Sequence, residues 1–293
     1  MKVSVIIRTL NEAKYLAELL AAIAAQETRH DVEAVVIDSG STDDTLAIAA
    51  RAKARVTHIE KERFSFGRSL NDGCAFATGE ILIFVSGHCV PCTPHWLDAL
   101  VAPLVSGEAG YSYGGQFGRD TTPFSEHQVF AKYFPPYEAS ENADYFCNNA
   151  NAAITRDVWQ RFKFNEEITG LEDMELAKRY VEAGGAVRYV PTAGVFHIHN
   201  EKWSQIRRRY EREALALQNI APEINLTALD STRYFLASIM HDAGQALMQG
   251  CLWRTFRSIV RYRSAQYLGS YLGSRPGRSI SHRQKQRYFF PGR

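Results

Sequence analysis

The order of apolar and polar positions over the first 85 residues predicts a strand–helix alternation. Short apolar runs of strand length alternate with longer stretches in which apolar residues recur every three or four positions. The predicted strands are 3–7, 33–37, 55–59 and 81–85, and the predicted helices are 14–25, 45–53 and 69–77. This alternation is typical of a parallel sheet that is covered by helices on both faces.

Beyond residue 100 the strands become sparser and the chain ends in helical pattern. The further predicted strands are 111–118, 187–191 and 194–199, and the further predicted helices are 170–183, 204–221 and 232–271. A loop around Pro222 separates the last two helices. We therefore expect an α/β domain over about residues 1–200, with a Rossmann-type sheet, and a helical C-terminal region over residues 201–293.

Polar segments follow three of the predicted parallel strands. They are residues 9–12, 38–41 and 86–88. In open α/β sheets, ligands bind in the crevice beyond the carboxyl ends of the strands. The sequence therefore predicts that these three segments converge on one binding site.

Composition favours a globular chain without a membrane span. The 293 residues are 45% hydrophobic, which is enough to build a large core. No window holds the roughly 18 consecutive apolar residues of a spanning helix, and the N-terminus lacks the pattern of a signal peptide. The five cysteines are an odd set that does not resemble a secreted disulfide framework. We expect a cytoplasmic chain with reduced thiols.

Charge is distributed unevenly along the chain. Residues 202–293 contain 16 Lys and Arg against 5 Asp and Glu, whereas residues 1–201 contain 18 against 27. Residues 254–293 contain no acidic residue, and eight aromatic residues lie among their cations or just before them: Trp253, Phe256, Tyr262, Tyr267, Tyr271, Tyr288, Phe289 and Phe290. Aromatic and basic residues together suit the headgroup zone of an anionic membrane.

Two alternatives remain for this basic region. The same composition could follow the phosphates of a nucleic acid, or it could form a solvated helical face that packs on the body or on a second copy of the chain. We expect a peripheral position on the inner face of the plasma membrane and no nucleic acid.

Four motifs carry a resemblance to a known family. They are VSVIIRTLNE at 3–12, VIDSGSTDDT at 36–45, GRSLNDGCAFATG at 67–79 and GLEDMEL at 170–176. In this order they resemble family 2 glycosyltransferases with the GT-A fold, over residues 1 to about 200. The resemblance implies a sugar transfer from a nucleotide-diphosphate donor to a hydroxyl of a glycan or polyprenyl-linked acceptor. The chain is similar in particular to enzymes of bacterial surface polysaccharide assembly, including rhamnosyltransferases.

The resemblance also implies which residues surround the donor. The donor-binding residues are expected to be Thr9, Asn11, Glu12, Asp38, Ser39, Arg68 and Ser86. Asp38 would accept a hydrogen bond from the base, and Arg68 would lie near the base or the diphosphate. The alternative interpretation is that Asp38 and Ser39 only cap the helix that follows.

The sequence departs from the family where the metal site is expected. The usual Asp-x-Asp after the fourth strand is replaced by Ser86-Gly87-His88, and two further histidines occur at His197 and His199. Imidazole binds Mn²⁺ and other first-row ions but suits Mg²⁺ less well than carboxylate does. The hypothesis is that His88 and either His197 or His199 bind a divalent ion, Mn²⁺ or Mg²⁺, with the diphosphate. The alternative is a metal-free site with Arg and Lys.

An acidic pair is the candidate for catalysis. Inversion at the anomeric carbon needs a base that takes the acceptor's proton. Glu172 and Asp173 match the family's acidic pair, so Asp173 is the expected base, and Glu172 is expected to orient the acceptor or to share the role. The alternative is that both stabilise a helix dipole. Asn148 and Asn149 are candidate contacts to sugar hydroxyls, or structural turn residues.

Two other function classes remain possible from the residues. A nucleotidyltransferase could use the same sheet, but it should have a Gly-rich basic loop after its first strand, and Arg8-Thr9-Leu10-Asn11-Glu12 is not such a loop. A non-catalytic nucleotide-sugar-binding protein could have lost the Asp-x-Asp, but the acidic pair argues for an enzyme.

Overall fold

The computed structural model describes residues 1–137, 144–224 and 226–275. Contacts between Cα atoms divide them into two compact units. The sheet unit comprises Met1–Arg119, Ala131–Glu167 and Glu172–Ile198. The helical unit comprises Asp120–Phe130, Ile168–Leu171 and the described residues from His199 onward. None of the described helices is both long enough and apolar enough to cross a lipid bilayer.

The sheet unit is built on eight strands in the order β3-β2-β1-β4-β7-β6-β8-β5. Their bounds are β1 Lys2–Thr9, β2 Asp31–Asp38, β3 Arg55–His58, β4 Ile81–Ser86, β5 Cys89–Pro91, β6 Tyr111–Phe117, β7 Asn151–Thr155 and β8 Val187–His197. The strands β1 to β4 pair in parallel, as the alternation predicts. The apolar runs of β1 and β4 and the second half of β2 are buried because helices cover both faces of such a sheet, whereas β3 is a short strand at the edge.

Parallel pairing does not continue through the whole sheet beyond β4. Strand β7 is antiparallel to both β4 and β6, and β5 is antiparallel to β8. The strand–helix alternation from which parallel pairing was inferred ends at β4. The long connection between β6 and β7 leaves the chain free to return in either direction.

Ten α-helices complete the described part of the chain. They are α1 Ala13–Ala24, α2 Thr45–Arg51, α3 Phe66–Phe76, α4 Trp96–Val105, α5 Phe124–Tyr133, α6 Arg156–Phe162, α7 Glu172–Glu182, α8 Trp203–Ile220, α9 Ala228–Met248 and α10 Leu252–Gly273. The main core of the sheet unit lies between strands β1, β2 and β4 and the apolar faces of α1 and α4. Five elements have no counterpart in the sequence prediction: α4, α5, α6, β5 and β7.

Two predicted boundaries are corrected by the structure. The strands predicted at 187–191 and 194–199 are one strand, β8, with a bulge between Val190 and Val195 against β6. The helix predicted over 232–271 is two helices that break at Gly250, whose φ of 66° ends α9. The N–H of Cys251 donates to Ala246 O and the N–H of Gly250 donates to Leu247 O, which is a Schellman C-cap.

Helices α9 and α10 form an antiparallel pair around a buried ion pair. The guanidinium of Arg263 donates two hydrogen bonds to Asp242, at 2.8 and 2.7 Å, and both side chains are buried. Arg263 and Tyr262 were expected to face a partner as part of the basic aromatic region. Instead, both lie inside the helical unit. Tyr288, Phe289 and Phe290 of that region lie outside the described residues.

Substitution of Asp242 by alanine is expected to lower the free energy of unfolding by about 3–5 kcal/mol, because Arg263 keeps its charge but loses a buried partner. Chemical denaturation would measure the loss. The control is Glu108→Ala, which removes the partner of Arg188 from an ion pair in which both side chains are more than half exposed. There, a change of about 0–1 kcal/mol is expected. Similar losses for the two variants would contradict the prediction.

Candidate active site

The carboxyl ends of β1 and β2 meet in a network centred on Asp38. This side chain is 1% exposed and accepts hydrogen bonds from Thr9 Oγ1, Gly40 N and Ser41 N, each at 2.9 Å. Ser39 Oγ donates to the carbonyl of Thr9 at 3.0 Å. Asp38 therefore joins the two strand-end loops and fixes their conformation.

Asn11 and Ser41 extend this network to the surface. Asn11 has a left-handed backbone, with φ of 59°, and its Oδ1 accepts a hydrogen bond from Thr42 N at 2.8 Å. Its own N–H donates to Ser41 Oγ at 2.8 Å. The N-cap of α2 is Asp44, so the alternative in which Asp38 and Ser39 cap that helix is wrong.

Arg68 lies in the first turn of α3. Its Nε donates to Glu166 Oε2 at 2.7 Å, and the other oxygen of Glu166 accepts from Asn71 Nδ2 at 3.0 Å. The hydrogen bond to Glu166 raises the pKa of Arg68. The structure thus pairs Arg68 with a carboxylate of its own unit, and no described contact joins it to the Asp38 network.

Two imidazoles meet where His88 follows β4 and His197 ends β8. The rings of His88 and His197 are stacked, with centroids 5.1 Å apart, and their Nε2 atoms are 3.2 Å apart. His88 Nδ1 lies 2.9 Å from Glu12 Oε1, and His197 Nδ1 lies 2.7 Å from Gln116 Oε1. Four residues from separate loops and strands therefore form one chain of contacts.

The outer partners of this chain determine where the imidazole protons lie. The Glu12 carboxylate and the Gln116 carbonyl oxygen are acceptors, so each Nδ1 must carry a proton to donate. When both rings are neutral and carry the proton on Nδ1, each Nε2 has a free lone pair, and a shared cation would stabilise this arrangement. Two nitrogens bound to one ion at about 2.1–2.2 Å and 90–110° lie about 3.0–3.6 Å apart, and the observed separation of 3.2 Å falls within this range.

His199 lies beyond the end of β8, in the helical unit, and not on the strand where it was expected. Its Nδ1 is 2.8 Å from Glu126 Oε1, which also accepts from Arg209 at 2.9 Å. Although burial raises the pKa of Glu126, the hydrogen bond and charge of His199 and the charge of Arg209 hold it at about 2. Arg209 also pairs with Glu201 at 2.8 Å. A guanidinium thus already occupies the position between these carboxylates.

The acidic pair opens helix α7 and is buried. Glu172 Oε1 accepts from Arg8 Nη1 at 3.0 Å, while Asp173 Oδ2 accepts from the backbone N–H of Asn149 at 2.8 Å. Burial, followed by the neighbouring Glu172 carboxylate, raises the pKa of Asp173 to about 7. Asp173 can therefore exchange a proton near neutral pH, which is what a general base requires.

The asparagines that precede β7 hold Asp173 in place. Asn149 Oδ1 accepts from the buried Tyr111 hydroxyl at 2.6 Å, which orients the Asn149 side chain. The Nδ2 of Asn149 is buried and has no hydrogen-bond partner among the described residues. Asn148 Oδ1 accepts from Ala150 N at 3.0 Å and so shapes the turn. An unsatisfied buried donor beside a carboxylate is a candidate contact for a bound hydroxyl.

Sequence reasoning missed Arg8 and Gln116 as site residues. Arg8 ends a buried apolar run at 3–7, and a lone cation at the end of a buried strand was the available signal. Its guanidinium lies over the ring of Phe66, 5.2 Å from the centroid. The sequence did not indicate a role for Gln116, because a single glutamine in a half-apolar strand is common and its partner His197 is distant in sequence.

Replacement of Arg8 by methionine is expected to move the acidic limb of the pH–activity profile to higher pH, because the positive charge of Arg8 lowers the pKa of Asp173. Arg8→Lys keeps the charge and should leave the limb near its original position. Lys178→Met removes a cation of α7 that pairs with Glu182 instead, at 4.0 Å, and is the control. Initial rates from about pH 5 to 9 would measure the limb. Equal shifts in Arg8→Met and Lys178→Met would contradict the prediction.

Comparisons with solved structures identify the fold. A mannosyltransferase from Pyrobaculum calidifontis, solved with GDP-Man and Mn²⁺, aligns with a TM-score of 0.64 and 19% identity over 93% of this chain and 86% of that one. TarS of S. aureus, solved with UDP-GlcNAc, aligns with a TM-score of 0.57 and 17% identity over 91% and 90%. The chain therefore has the GT-A fold of glycosyltransferases, as expected from its motifs.

Sequence comparisons identify the family. Residues 4–168 match the profile of Glycosyl transferase family 2, and the chain belongs to this family. O-antigen chain rhamnosyltransferase RfbN of Salmonella typhimurium is 28% identical over 225 residues, which are 72% of this chain and 70% of RfbN. O-antigen chain rhamnosyltransferase WbaN of Salmonella anatum is 26% identical over 63% of this chain and 62% of WbaN. The resemblance stated from the motifs is confirmed, and the protein is a glycosyltransferase.

Proposed function

We propose that this glycosyltransferase moves a sugar from a nucleotide-diphosphate donor to a hydroxyl of a glycan or polyprenyl-linked acceptor, with inversion, in bacterial surface polysaccharide synthesis. The buried pair Glu172 and Asp173 carries the proposal, because Asp173 has a raised pKa and is held by the N–H of Asn149. The similarity to the O-antigen chain rhamnosyltransferases RfbN and WbaN supports the choice of pathway and makes rhamnose the first candidate sugar.

In the proposed reaction, the acceptor oxygen attacks the anomeric carbon from the side opposite the diphosphate. The new carbon–oxygen bond forms as the bond to the diphosphate oxygen breaks. The acceptor's proton passes to the carboxylate of Asp173, and the nucleoside diphosphate leaves with the electron pair. Arg8 is paired with Glu172, so that Asp173 is the carboxylate of the pair that is left to accept this proton. The Nδ2 of Asn149 is placed to donate to a sugar or acceptor hydroxyl.

His88 and His197 are the proposed protein ligands of a divalent ion. The separation of their Nε2 atoms fits one shared ion, and Glu12 and Gln116 hold both rings in the required tautomer. When bound, such an ion would neutralise charge on the departing diphosphate. Imidazole ligands favour a first-row ion such as Mn²⁺ over Mg²⁺. His199, which is engaged with Glu126, is not needed for this pair.

The donor nucleotide is assigned to the strand-end loops of the sheet unit. Thr9, Asn11 and Asp38 fix the conformation of these loops through the hydrogen bonds between them, with Ser39 and Ser86 at the strand ends. Asp38 accepts hydrogen bonds from four described donors, so it holds the loops in place before any base is bound.

Catalysis is assigned to about residues 1–200, which contain these loops and the acidic pair. We place the protein in the cytoplasm, where the donor is made, on the inner face of the plasma membrane.

A panel of nucleotide sugars would test the proposed function. UDP-, GDP- and dTDP-sugars, the last including a rhamnose donor, are added with and without Mn²⁺, and thermal unfolding and sugar transfer are measured. One donor should raise the unfolding temperature, because a ligand at about 100 times its Kd stabilises the folded state by about 2.7 kcal/mol. Absence of stabilisation and of transfer with every donor would refute the proposal. Release of pyrophosphate from a nucleoside triphosphate and a sugar phosphate would instead establish a nucleotidyltransferase.

A further inference from the structure

Helix α9 leaves a row of apolar side chains exposed. Only Asp242 and Ala246 are buried among its 21 residues. The exposed apolar residues of α9 and of the start of α10 are Leu229, Leu236, Met240, Leu247, Met248, Trp253 and Phe256. At 100° per residue, Leu229, Leu236, Met240 and Leu247 lie within about 40° of one another around the helix. We call these four residues the α9 stripe.

The turn between α9 and α10 adds a second exposed group. Met248 is 73% exposed and Trp253 is 95% exposed, on either side of the turn at Gly250. With Phe256 they form a group that we call the hairpin tip. Trp159 and Trp96 are buried and Trp203 is 39% exposed, so Trp253 is by far the most exposed tryptophan of the chain. Its position follows from the Schellman C-cap, which turns the chain sharply between the two helices.

The charges around these residues are nearly all positive. Arg233, Arg254, Arg257 and Arg261 are exposed, and α10 contains no acidic residue. Arg254 and Arg257 make no ion pair with any described residue. Besides the buried Asp242, the carboxylate of α9 is Asp230, which accepts hydrogen bonds in the capping box with Thr227 at the far end of the helix. Helix α9 and the start of α10 thus combine exposed apolar side chains with two cations, Arg254 and Arg257, that have no ion-pair partner among the described residues.

We propose that the α9 stripe and the hairpin tip bind the surface of an anionic lipid bilayer. Trp253 and Met248 would enter the interfacial zone, while Arg254 and Arg257 would contact lipid phosphates. A second copy of the chain fits less well, since a two-fold contact would bring identical arginines together without acidic partners. The inference rests on the proposed function in one respect, because a polyprenyl-linked acceptor lies in a membrane. Vesicle binding is measured without sugar transfer, so a failure of the one can be distinguished from a failure of the other.

Flotation of the full chain with vesicles tests the proposal. Vesicles of phosphatidylglycerol and phosphatidylcholine are compared with vesicles of phosphatidylcholine alone. The wild type should float with the anionic vesicles, and its tryptophan emission should shift to shorter wavelength. Met248→Ser/Trp253→Ser should lower the partition coefficient at least about tenfold, and Arg254→Ser/Arg257→Ser about fivefold for each cation lost. Trp253→Phe should abolish the emission shift and keep most of the binding.

Matched controls separate this contact from general charge attraction. Arg29→Ser/Arg51→Ser removes two exposed cations of the sheet unit, and Val105→Ser removes an exposed apolar residue there. Both controls should bind like the wild type, and hydrolysis of a soluble donor should be equal in all variants. No vesicle binding by the wild type, or equal binding by the tip variants, would overturn the proposal. A wild-type dimer that Met240→Ser/Trp253→Ser dissociates, without vesicle binding, would identify a subunit interface instead.

Discussion

The Asp173→Asn protein is expected to fold and to lose between about 10²- and 10⁴-fold in turnover, the usual contribution of a general base. Asparagine has nearly the same shape as aspartate but cannot take the proton of the acceptor hydroxyl. In the wild type, kcat/KM should rise with pH until Asp173 is ionised, at a pH of about 7. The Asp173→Asn variant should lack this limb.

The stability of the same variant should depend on pH in a defined direction. The pKa of Asp173 is raised by burial, so the folded protein holds this proton up to about pH 7, whereas the unfolded chain releases it near pH 4. Between these values the folded state binds more protons, and wild-type stability falls as pH rises. The substituted amide carries no charge at any of these pH values, so the stability of Asp173→Asn relative to wild type should increase from about pH 4 to about pH 7.

A second carboxylate at a helix start provides the control. Asp157 lies in the first turn of α6, is exposed and belongs to the same unit. If the role of Asp173 were only to stabilise the dipole of α7, then Asp157→Asn and Asp173→Asn would have similar small effects, about 0.3–1 kcal/mol on stability. Near-normal turnover of a folded Asp173→Asn protein would remove Asp173 from the mechanism.

Removal of the proposed divalent ion is expected to lower activity strongly, as Asp173→Asn does. Chelator-treated enzyme should lose activity, and added Mn²⁺ should restore it. His88→Ala and His197→Ala should each weaken Mn²⁺ binding by about 100-fold or more, because each removes one of the two proposed protein ligands, and even the loss of an outer partner costs about 10–100-fold. Glu12→Gln keeps an acceptor for His88 and should weaken Mn²⁺ binding by only about 10–100-fold.

Calorimetric titration of Mn²⁺ gives a readout that does not depend on turnover. His95→Ala is the control, because His95 is exposed and belongs to the same unit. It should bind Mn²⁺ like the wild type. Full activity after chelation, or unchanged Mn²⁺ affinity in His88→Ala and His197→Ala, would exclude the metal role and favour a site in which cationic side chains stabilise the diphosphate.

The sequence was most informative where structure depends on neighbours along the chain. Strands β1 to β4 and helices α1 to α3 were predicted within a few residues, since hydrophobic periodicity reports burial over short windows. The break at Gly250 was missed because the apolar pattern continues on both sides of it. Helix α4 was also missed, although its buried residues Trp96, Leu97, Leu100, Val101 and Leu104 recur at helical spacing.

For the candidate site, too, the sequence indicated the residues in local motifs but not their distant partners. Asp38, Glu172 and Asp173 were predicted as site residues from motifs, because each lies in a short segment whose order along the chain is characteristic of the family. The partners that define their chemistry were not found. Arg8 lies 164 positions from Glu172, and His88 lies 109 positions from His197. Spacing in sequence gives no information about which distant loops will meet.

The sequence by itself determined the family, the alternation of the first four strands with three helices, and the acidic pair, because these are encoded in local patterns and ordered motifs. Only the tertiary structure decided that His88 pairs with His197 while His199 joins Glu126, and that burial raises the pKa of Asp173 to about 7. The reason is that ligand geometry and desolvation depend on atoms brought together from distant parts of the chain. Such contacts exist only once the sheet has formed.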